Sequence, residues 1–227
     1  MSSSIKLLSN KLIKQQSKPM QRIAITGGIG SGKSFICRLL TERGISVYDC
    51  DAAAKRLMFT SPTLKAQLQA LVGNAVYDAE GHLQKAMLSQ YLLQSEAHKQ
   101  AVNNVVHPAV AADFMQSGYT WLESAILFDS QFNQRVPFTH VVCVTAPLEV
   151  RVARIMSRDS ISREQALAWI NHQLPQEEVM QRSQFCIVND GEQALEPQID
   201  ALLQAVNKQG PPSPPPHQQE HNYQQNK

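Results

Sequence analysis

Eight residues from Gly27 to Ser34 have types and a spacing that suit phosphate chemistry. They follow the pattern G-x-x-x-x-G-K-[ST]. Glycines let backbone N–H groups approach phosphate oxygens, and the helix that follows adds its positive N-terminal end. In such a loop the lysine, here Lys33, contacts the β- and γ-phosphates, and the hydroxyl of Ser34 ligates Mg²⁺. The pattern therefore predicts nucleoside triphosphate binding by Gly28, Ile29, Gly30, Ser31, Gly32, Lys33, Ser34 and Phe35.

The surroundings of this loop favour the same interpretation. The apolar run from Ile23 precedes it, and Phe35, Ile36, Leu39 and Leu40 follow at helical spacing. The alternative is a glycine-rich turn beside an unrelated lysine. A strand, loop and helix in succession are typical of a phosphate loop, so we favour that structure.

Two carboxylates follow the second apolar run of the chain. Asp49 and Asp51 come directly after Tyr48. If this run is a strand parallel to the first, both side chains emerge beside the phosphate loop. Asp51 could then accept the proton of an attacking hydroxyl, and Asp49 could ligate a magnesium-bound water. The alternative is that Asp51 only caps a helix over residues 52–59.

Three arginines follow the fourth apolar run. Arg151, Arg154 and Arg158 share one face of a predicted helix. A solvated surface stripe is one interpretation. The other is a lid, in which Arg154 and Arg158 contact the phosphates, because phosphoryl transfer spreads negative charge over oxygens that an arginine can stabilise.

Three single residues extend the predicted site. His107 precedes Pro108 and could contact a substrate, although a lone histidine can be purely structural. Glu123 lies in the third apolar run and could be the acidic residue beside Mg²⁺, or could simply be a charged residue at the end of a strand. Asn189 follows the fifth run and could meet an adenine edge, or could belong to an ordinary Asn-Asp-Gly turn.

The apolar runs predict an α/β fold that would position these residues. Strands are predicted near 21–26, 45–48, 119–126, 139–146 and 185–188, and core helices near 33–43, 147–158, 192–207 and after the Ser162 to Gln165 capping box. Residues 52–118 predict helices only, near 52–59, 62–72, 84–93 and 96–116, with the last broken at His107-Pro108. We expect three α/β/α layers around a five-stranded parallel sheet.

The same pattern divides the chain. The predicted core comprises 21–51 and 119–207, with a lid over about 150–175 and a helical insertion over 52–118. Residues 1–20 are polar and rich in Lys and Gln, and residues 208–227 are rich in Pro. Neither segment can bury a core, so both are predicted to be disordered.

The composition narrows the possible partners. The chain has 227 residues and a net charge of +2, which gives no overall argument for nucleic-acid binding. No apolar run approaches the length of a membrane span, so we expect no membrane association. The four cysteines lie far apart, with no zinc spacing, and predict free thiols in the cytoplasm. We expect a monomer, with a small oligomer left open.

Taken in order, these motifs resemble those of the dephospho-CoA kinase family over about residues 21–203. The resemblance rests on seven groups of residues: Thr26 to Ser34, Asp49-Cys50-Asp51, His107-Pro108, Leu127-Phe128-Asp129, Arg154-x-x-x-Arg158-Asp159, Ser162-Arg163-Glu164 and Ile187-x-Asn189-x-Gly191. It implies a nucleotide-kinase-like fold with a lid and a helical CoA-binding domain. It also implies transfer of the ATP γ-phosphate, with Mg²⁺, to the ribose 3′-hydroxyl of dephospho-CoA, the final step of coenzyme A synthesis.

The resemblance assigns roles to particular residues. Asp51, Lys33 and Arg154 would be catalytic; Arg158 and Asn189 would join the ATP site; Asp51 and His107 would contact the acceptor. The chain departs from the family pattern at three places. It has Ala125 where the family often has Pro, and Ser183-Gln184 where the family usually has Ala-Asp before the fifth strand. It also lacks the lysine that the family has near Val179. The alternatives are another small-molecule or nucleotide kinase of this fold, or a P-loop switch protein, although the guanine motif Asn-Lys-x-Asp is absent from the sequence.

Overall fold

The computed structural model describes residues 20–208, and five parallel strands form its centre. In order along the sheet, β2, β3, β1, β4 and β5 are hydrogen-bonded neighbours. Their bounds are β1 Ile23–Thr26, β2 Val47–Asp49, β3 Trp121–Glu123, β4 His140–Thr145 and β5 Phe185–Val188. The predicted five-stranded parallel sheet is confirmed, although β3 is shorter than the predicted 119–126. Nearly all of the two segments predicted to be disordered lies outside the described residues.

Nine α-helices lie within residues 20–208, together with two short 3₁₀ turns. The helices are α1 Lys33–Glu42, α2 Cys50–Thr60, α3 Pro62–Val72, α4 Lys85–Gln94, α5 Glu96–Gln116, α6 Leu148–Asp159, α7 Arg163–Asn171, α8 Gln176–Gln181 and α9 Leu195–Lys208. The 3₁₀ turns span Asn74–Val76 and Phe132–Gln134. Prediction missed α8, placed the start of the last helix at 192, and put Pro147 inside a helix that it precedes as the N-cap.

Alternating side chains of the strands divide the apolar core between the two faces of the sheet. Every residue of β4 is buried. Val141 and Cys143 join the cluster formed by α2, α3 and α5, whereas Val142 and Val144 pack with residues of α1 and α9. Because a strand sends successive side chains to opposite faces, this division requires helices on both sides. The predicted three-layer α/β/α architecture follows from it.

The helix α5 is continuous from Glu96 to Gln116, so the predicted break at His107-Pro108 is wrong. Proline removes one backbone hydrogen bond from a helix interior. Here Pro108 is exposed, while Val106, Val110 and Phe114 are buried, and α5 packs against α2, α3 and α4. Burial of this apolar face holds the helix together across the proline.

A polar network ties the edge of the sheet to α5. The hydroxyl of Tyr48, at the edge strand β2, donates to Asp113 Oδ2 over 2.6 Å, and Arg56 Nη2 donates to the same oxygen over 2.5 Å.

Within residues 20–208, no helix is long and apolar enough to cross a membrane.

Candidate active site at the phosphate loop

The phosphate loop leaves the buried strand β1 and enters α1 at Gly32. Gly32 has φ +92° and is the N-cap of α1. A Cβ there would overlap the side-chain amide of Asn189, and a Cβ at Gly28 would overlap the guanidinium of Arg151. Glycine is favoured at Gly32 by its left-handed backbone and by the side chain of Asn189, which follows β5, whereas at Gly28 the guanidinium of Arg151 from α6 lies directly against the loop backbone.

Lys33 is buried in the first turn of α1. Its Nζ lies 3.4 Å from the carbonyl oxygen of Gly28 and 3.9 Å from Glu123 Oε1. Burial lowers the pKa of Lys33, and the attraction of Glu123 only partly offsets this effect. Burial likewise raises the pKa of Glu123, against the opposing effect of Lys33. The described residues therefore compensate the positive charge of Lys33 only in part, which is the electrostatic condition for binding an anion.

Asp49 and Asp51 have different structural positions. Asp49 caps α2, because its Oδ1 accepts from Ala52 N over 2.9 Å. The alternative that Asp51 caps this helix is therefore wrong. Asp51 lies in the first turn and is exposed, and its carboxylate has no hydrogen-bond partner or ion pair among the described residues.

One cavity of about 520 Å³ brings the three predicted catalytic residues together. Its lining includes Lys33, Ser34, Asp49, Asp51, Glu123, Arg154 and Arg158. A hydroxyl and three carboxylates are oxygen ligands of the kind that Mg²⁺ prefers. The donor set therefore fits the metal expected at a phosphate loop.

The three arginines of α6 lie at different depths. Arg151 is buried, and its Nε donates to the carbonyl oxygen of Ile29 over 2.9 Å. Arg154 Nη1 lies 3.3 Å from the carbonyl oxygens of Gly30 and Ser31. Arg158 is exposed at the cavity and pairs with the carboxylate of Asp159 over 2.7 Å. The three residues share a helical face in projection, but only Arg154 and Arg158 line the cavity.

A small apolar cluster joins the predicted lid to the phosphate loop. Val152 and Ile155 of α6 pack with Ala166 and Ile170 of α7, and Ile29 of the loop contacts this cluster. The capping box between Ser162 and Gln165 is formed as predicted. The tip of the loop and the helices α6 and α7 therefore share one packing unit.

Asn189 and Phe35 lie on the other side of the loop. The buried Asn189 donates from Nδ2 to the carbonyl oxygen of Ser31 over 2.9 Å, and its Oδ1 lies 3.4 Å from Arg154 Nη2. Together with Phe35, which is 41% exposed, it lines a second cavity. This cavity contains Gly32 and Arg154, so it is continuous with the phosphate loop.

His107 does not belong to the residues that line either of these two cavities. It is half-buried on α5, and its pKa is lowered by burial and by the positive charge of Arg135. Its predicted role in acceptor binding stays a prediction.

The geometry agrees with a comparison of the chain with known proteins. A family model described as dephospho-CoA kinase matches residues 21–194. The chain belongs to the dephospho-CoA kinase family. It is 41% identical over 189 residues to a dephospho-CoA kinase of Bacteroides fragilis, which covers 80% of this chain and 91% of that protein. With the dephospho-CoA kinase of Porphyromonas gingivalis it shares 35% identity over 202 residues, covering 86% and 98%.

Solved structures support the fold of this family member. The crystal structure of TT1252 from Thermus thermophilus has 32% identity and a TM-score of 0.66, covering 82% of this chain and 96% of that one. A dephospho-CoA kinase from Campylobacter jejuni has 18% identity and a TM-score of 0.55, covering 82% and 95%, and shows the fold alone.

The departures from the family pattern have structural counterparts in this kinase-family chain. Gln184 Oε1 accepts from Val141 N over 2.7 Å, and the backbone N–H of Gln184 donates to the carbonyl oxygen of Val141 over 3.0 Å. Val179 is the buried residue of α8 and packs into the apolar core. Ala125 lines the phosphate cavity. Gln184 and Val179 therefore support the start of β4 and the packing of α8.

Sequence reasoning gave no site role to Gln173 or to Asp129. Gln173 Oε1 accepts from Ile29 N over 2.7 Å, and the residue lines the phosphate cavity. Asp129 Oδ1 accepts from Leu174 N over 2.9 Å. Asp129 is part of the group Leu127-Phe128-Asp129 on which the family resemblance rests, but no spacing rule singles out Gln173, which contacts a residue 144 positions away.

Proposed function

We propose that this chain transfers the γ-phosphate of ATP to the ribose 3′-hydroxyl of dephospho-CoA, giving coenzyme A and ADP. The observation that supports this proposal most directly is the cavity at the glycine-rich phosphate loop, which is lined by Lys33, Ser34, Asp51 and Arg154. These groups supply the phosphate contact, the metal ligand, the proton acceptor and the cation that such a transfer uses. Membership of the family identifies the acceptor.

The triphosphate would lie along the loop between Gly28 and Phe35. Burial disfavours the charged form of Lys33, and a bound phosphate would compensate that charge. Lys33 would therefore contribute to affinity at the β- and γ-phosphates. The adenine would occupy the second cavity, beside Phe35 and Asn189. Its two sides would be contacted by an aromatic ring and a buried carboxamide.

Ser34 would hold Mg²⁺ together with one or more of Asp49, Asp51 and Glu123, which line the same cavity. The ion would neutralise charge on the β- and γ-phosphate oxygens. Asp49 already accepts one backbone N–H as the cap of α2, whereas Asp51 is free of partners among the described residues. The roles of cap and proton acceptor are therefore separated between the two carboxylates.

Asp51 would act as the general base. It is presented from the first turn of α2, into the cavity that contains Lys33. A positioned carboxylate that accepts the proton of the attacking hydroxyl contributes about 10²- to 10⁴-fold to the rate. The proton passes from the 3′-hydroxyl to Asp51 as the oxygen attacks the γ-phosphorus.

Arg154 and Arg158 would stabilise the transferring phosphoryl from the lid side. Both line the cavity, and within the part of the chain that the structure describes Arg158 pairs with the neighbouring carboxylate of Asp159 alone. Closure of the lid would exclude water and limit hydrolysis of ATP. The acceptor would lie between the core and the helices of residues 52–118, with His107 as a contact.

Two alternatives use the same loop. A nucleotide kinase of this fold would phosphorylate AMP or UMP instead of dephospho-CoA. A switch protein that reads guanine would need the Asn-Lys-x-Asp motif, whereas β4 of this chain ends at Thr145-Ala146-Pro147. We further propose a cytoplasmic monomer that binds neither nucleic acid nor membrane.

An acceptor panel tests the proposal. The protein is incubated with ATP and Mg²⁺ and, separately, with dephospho-CoA, AMP, UMP or no acceptor, and ADP release is measured. We expect ADP with dephospho-CoA far above the rate without acceptor, and its loss when Mg²⁺ is chelated. ADP formation with AMP but not with dephospho-CoA would refute the proposed acceptor.

A further inference from the structure

Gln173 is a polar residue of the phosphate cavity to which the proposed mechanism gives no task. Its Oε1 lies 2.7 Å from Ile29 N, at the tip of the phosphate loop. A backbone N–H can only donate, so the carboxamide must present its oxygen to Ile29. The Nε2 group is therefore at the other end of the amide, and it has no hydrogen bond to the described residues. It is a donor on the wall of a cavity built for an anion.

The segment that carries Gln173 is held at two points immediately after that residue. The N–H of Leu174 donates to Asp129 Oδ1 over 2.9 Å, and Gln176 Oε1 accepts from Ala146 N over 3.3 Å. The loop partner is fixed as well, because Arg151 Nε donates to the carbonyl oxygen of Ile29. A donor held in this way costs little reorganisation when a ligand binds.

The position along the nucleotide follows from the two cavities. Gln173 lines the cavity that contains Lys33 and Asp51, where phosphate and acceptor would meet. It is not among the residues that line the second cavity beside Phe35. Its amide therefore lies nearer to the terminal phosphate than to the base.

We propose that Gln173 is a ligand of the transferring phosphoryl group, with Oε1 held by the N–H of Ile29 and Nε2 donating to a γ-phosphate oxygen. This role rests on the proposed kinase function. A neutral donor strengthens its hydrogen bond as charge develops on the equatorial oxygens, and it adds no further cation to a site that already holds Lys33, Arg154 and Arg158.

Two substitutions separate this role from mere support of the loop. Gln173→Glu keeps an oxygen for Ile29 N and replaces the Nε2 donor with a second acceptor of nearly the same shape. Gln173→Met removes both groups. As a matched control, Gln176→Glu makes the same change of charge three residues away, keeps its acceptor for Ala146 N, and lies outside the residues that line the cavity.

Binding of ADP and of a non-hydrolysable ATP analogue with Mg²⁺ is measured by calorimetry, so no acceptor is needed. We expect Gln173→Glu to weaken the ATP analogue about 10- to 150-fold, the worth of one hydrogen bond to a charged group. ADP affinity should not change, and Gln176→Glu should bind both nucleotides like the parent.

Three results would overturn the proposal. The first is unchanged affinity of Gln173→Glu for the ATP analogue, with loss only in Gln173→Met, which assigns Gln173 to support of Ile29. The second is equal weakening of ADP and the analogue. The third is an equal effect of Gln176→Glu. None depends on dephospho-CoA, so a failed acceptor panel with a normal Gln173 result would remove the proposed acceptor alone.

Discussion

Replacing Gly32 with alanine separates the conformational and the packing requirement at the phosphate loop. Gly32 has φ +92°, and a Cβ there would overlap Asn189 Nδ2. That nitrogen donates to the carbonyl oxygen of Ser31 over 2.9 Å, inside the protein. Gly44 supplies a matched control, since its φ is +80° and no described atom lies within 4 Å of its Cβ position.

The two substitutions should differ by the displacement of Asn189. A left-handed conformation costs an alanine about 1–2 kcal/mol at either site. Losing the buried hydrogen bond of Asn189 adds about 1–3 kcal/mol at Gly32 alone. We expect Gly32→Ala to lower the free energy of unfolding by about 2–5 kcal/mol and the Tm by about 4–20 °C. Gly44→Ala should cost about 1–2 kcal/mol, or about 2–8 °C.

Urea denaturation gives the two free energies of unfolding, and calorimetry gives the affinity for ATP. Gly44→Ala should bind ATP as the parent does, whereas Gly32→Ala should bind it more weakly, because Ser31 and Arg154 both bond Asn189. Equal losses of stability in the two variants, with normal ATP binding in both, would refute the claim that Asn189 excludes a side chain at Gly32.

Three further outcomes are expected. Asp51→Asn should keep ATP affinity and lose about 100-fold or more in turnover, measured as ADP release; turnover within tenfold of the parent removes Asp51 from the mechanism. Tyr48→Phe should lower the free energy of unfolding by about 1.5–3 kcal/mol in urea denaturation, since a hydrogen bond to the Asp113 carboxylate is lost; no change would show that this bond adds nothing. Because burial raises the pKa of Glu123, the folded parent binds the extra proton, and its stability falls as pH rises from 4.5 through that raised pKa. The free energy of unfolding of Glu123→Gln minus that of the parent should therefore grow with pH and then level off. The control is Glu149→Gln: in the parent, the hydrogen bond from Arg163 lowers the pKa of Glu149, so the same difference should fall as pH rises. A difference that changes in the same direction for both variants would contradict this account.

Local patterns predicted much of the fold. The capping box at Ser162, the start of α3 at Pro62 and the strand β5 are where their motifs indicate, because caps, turns and apolar runs act within a few residues. The break in α5 was wrong for the opposite reason. Burial of its apolar face outweighs the backbone bond that Pro108 removes, and that burial depends on α2, α3 and α4.

The depth of the arginines and the position of Gln173 could not be predicted. Helical spacing gives the direction of a side chain around its axis, but not how closely the helix docks. Arg151 and Arg154 share a face, yet one is buried beneath Ile29 and the other lines the cavity. The contact between Gln173 and Ile29 joins residues 144 positions apart, and no local pattern encodes it.

The sequence by itself determined the phosphate loop, the carboxylates that follow β2, the five apolar runs that form the strands and the resemblance to the family, because each depends on residue types at short spacing. The tertiary structure alone decided which carboxylate caps α2, which one has no partner among residues 20–208, which arginines line the cavity, and that Gln173 presents a donor there. Those assignments depend on how distant segments pack and which hydrogen bonds the packing satisfies. At this site, short sequence motifs supply the reactive residue types, whereas tertiary contacts determine which of several similar residues takes each role.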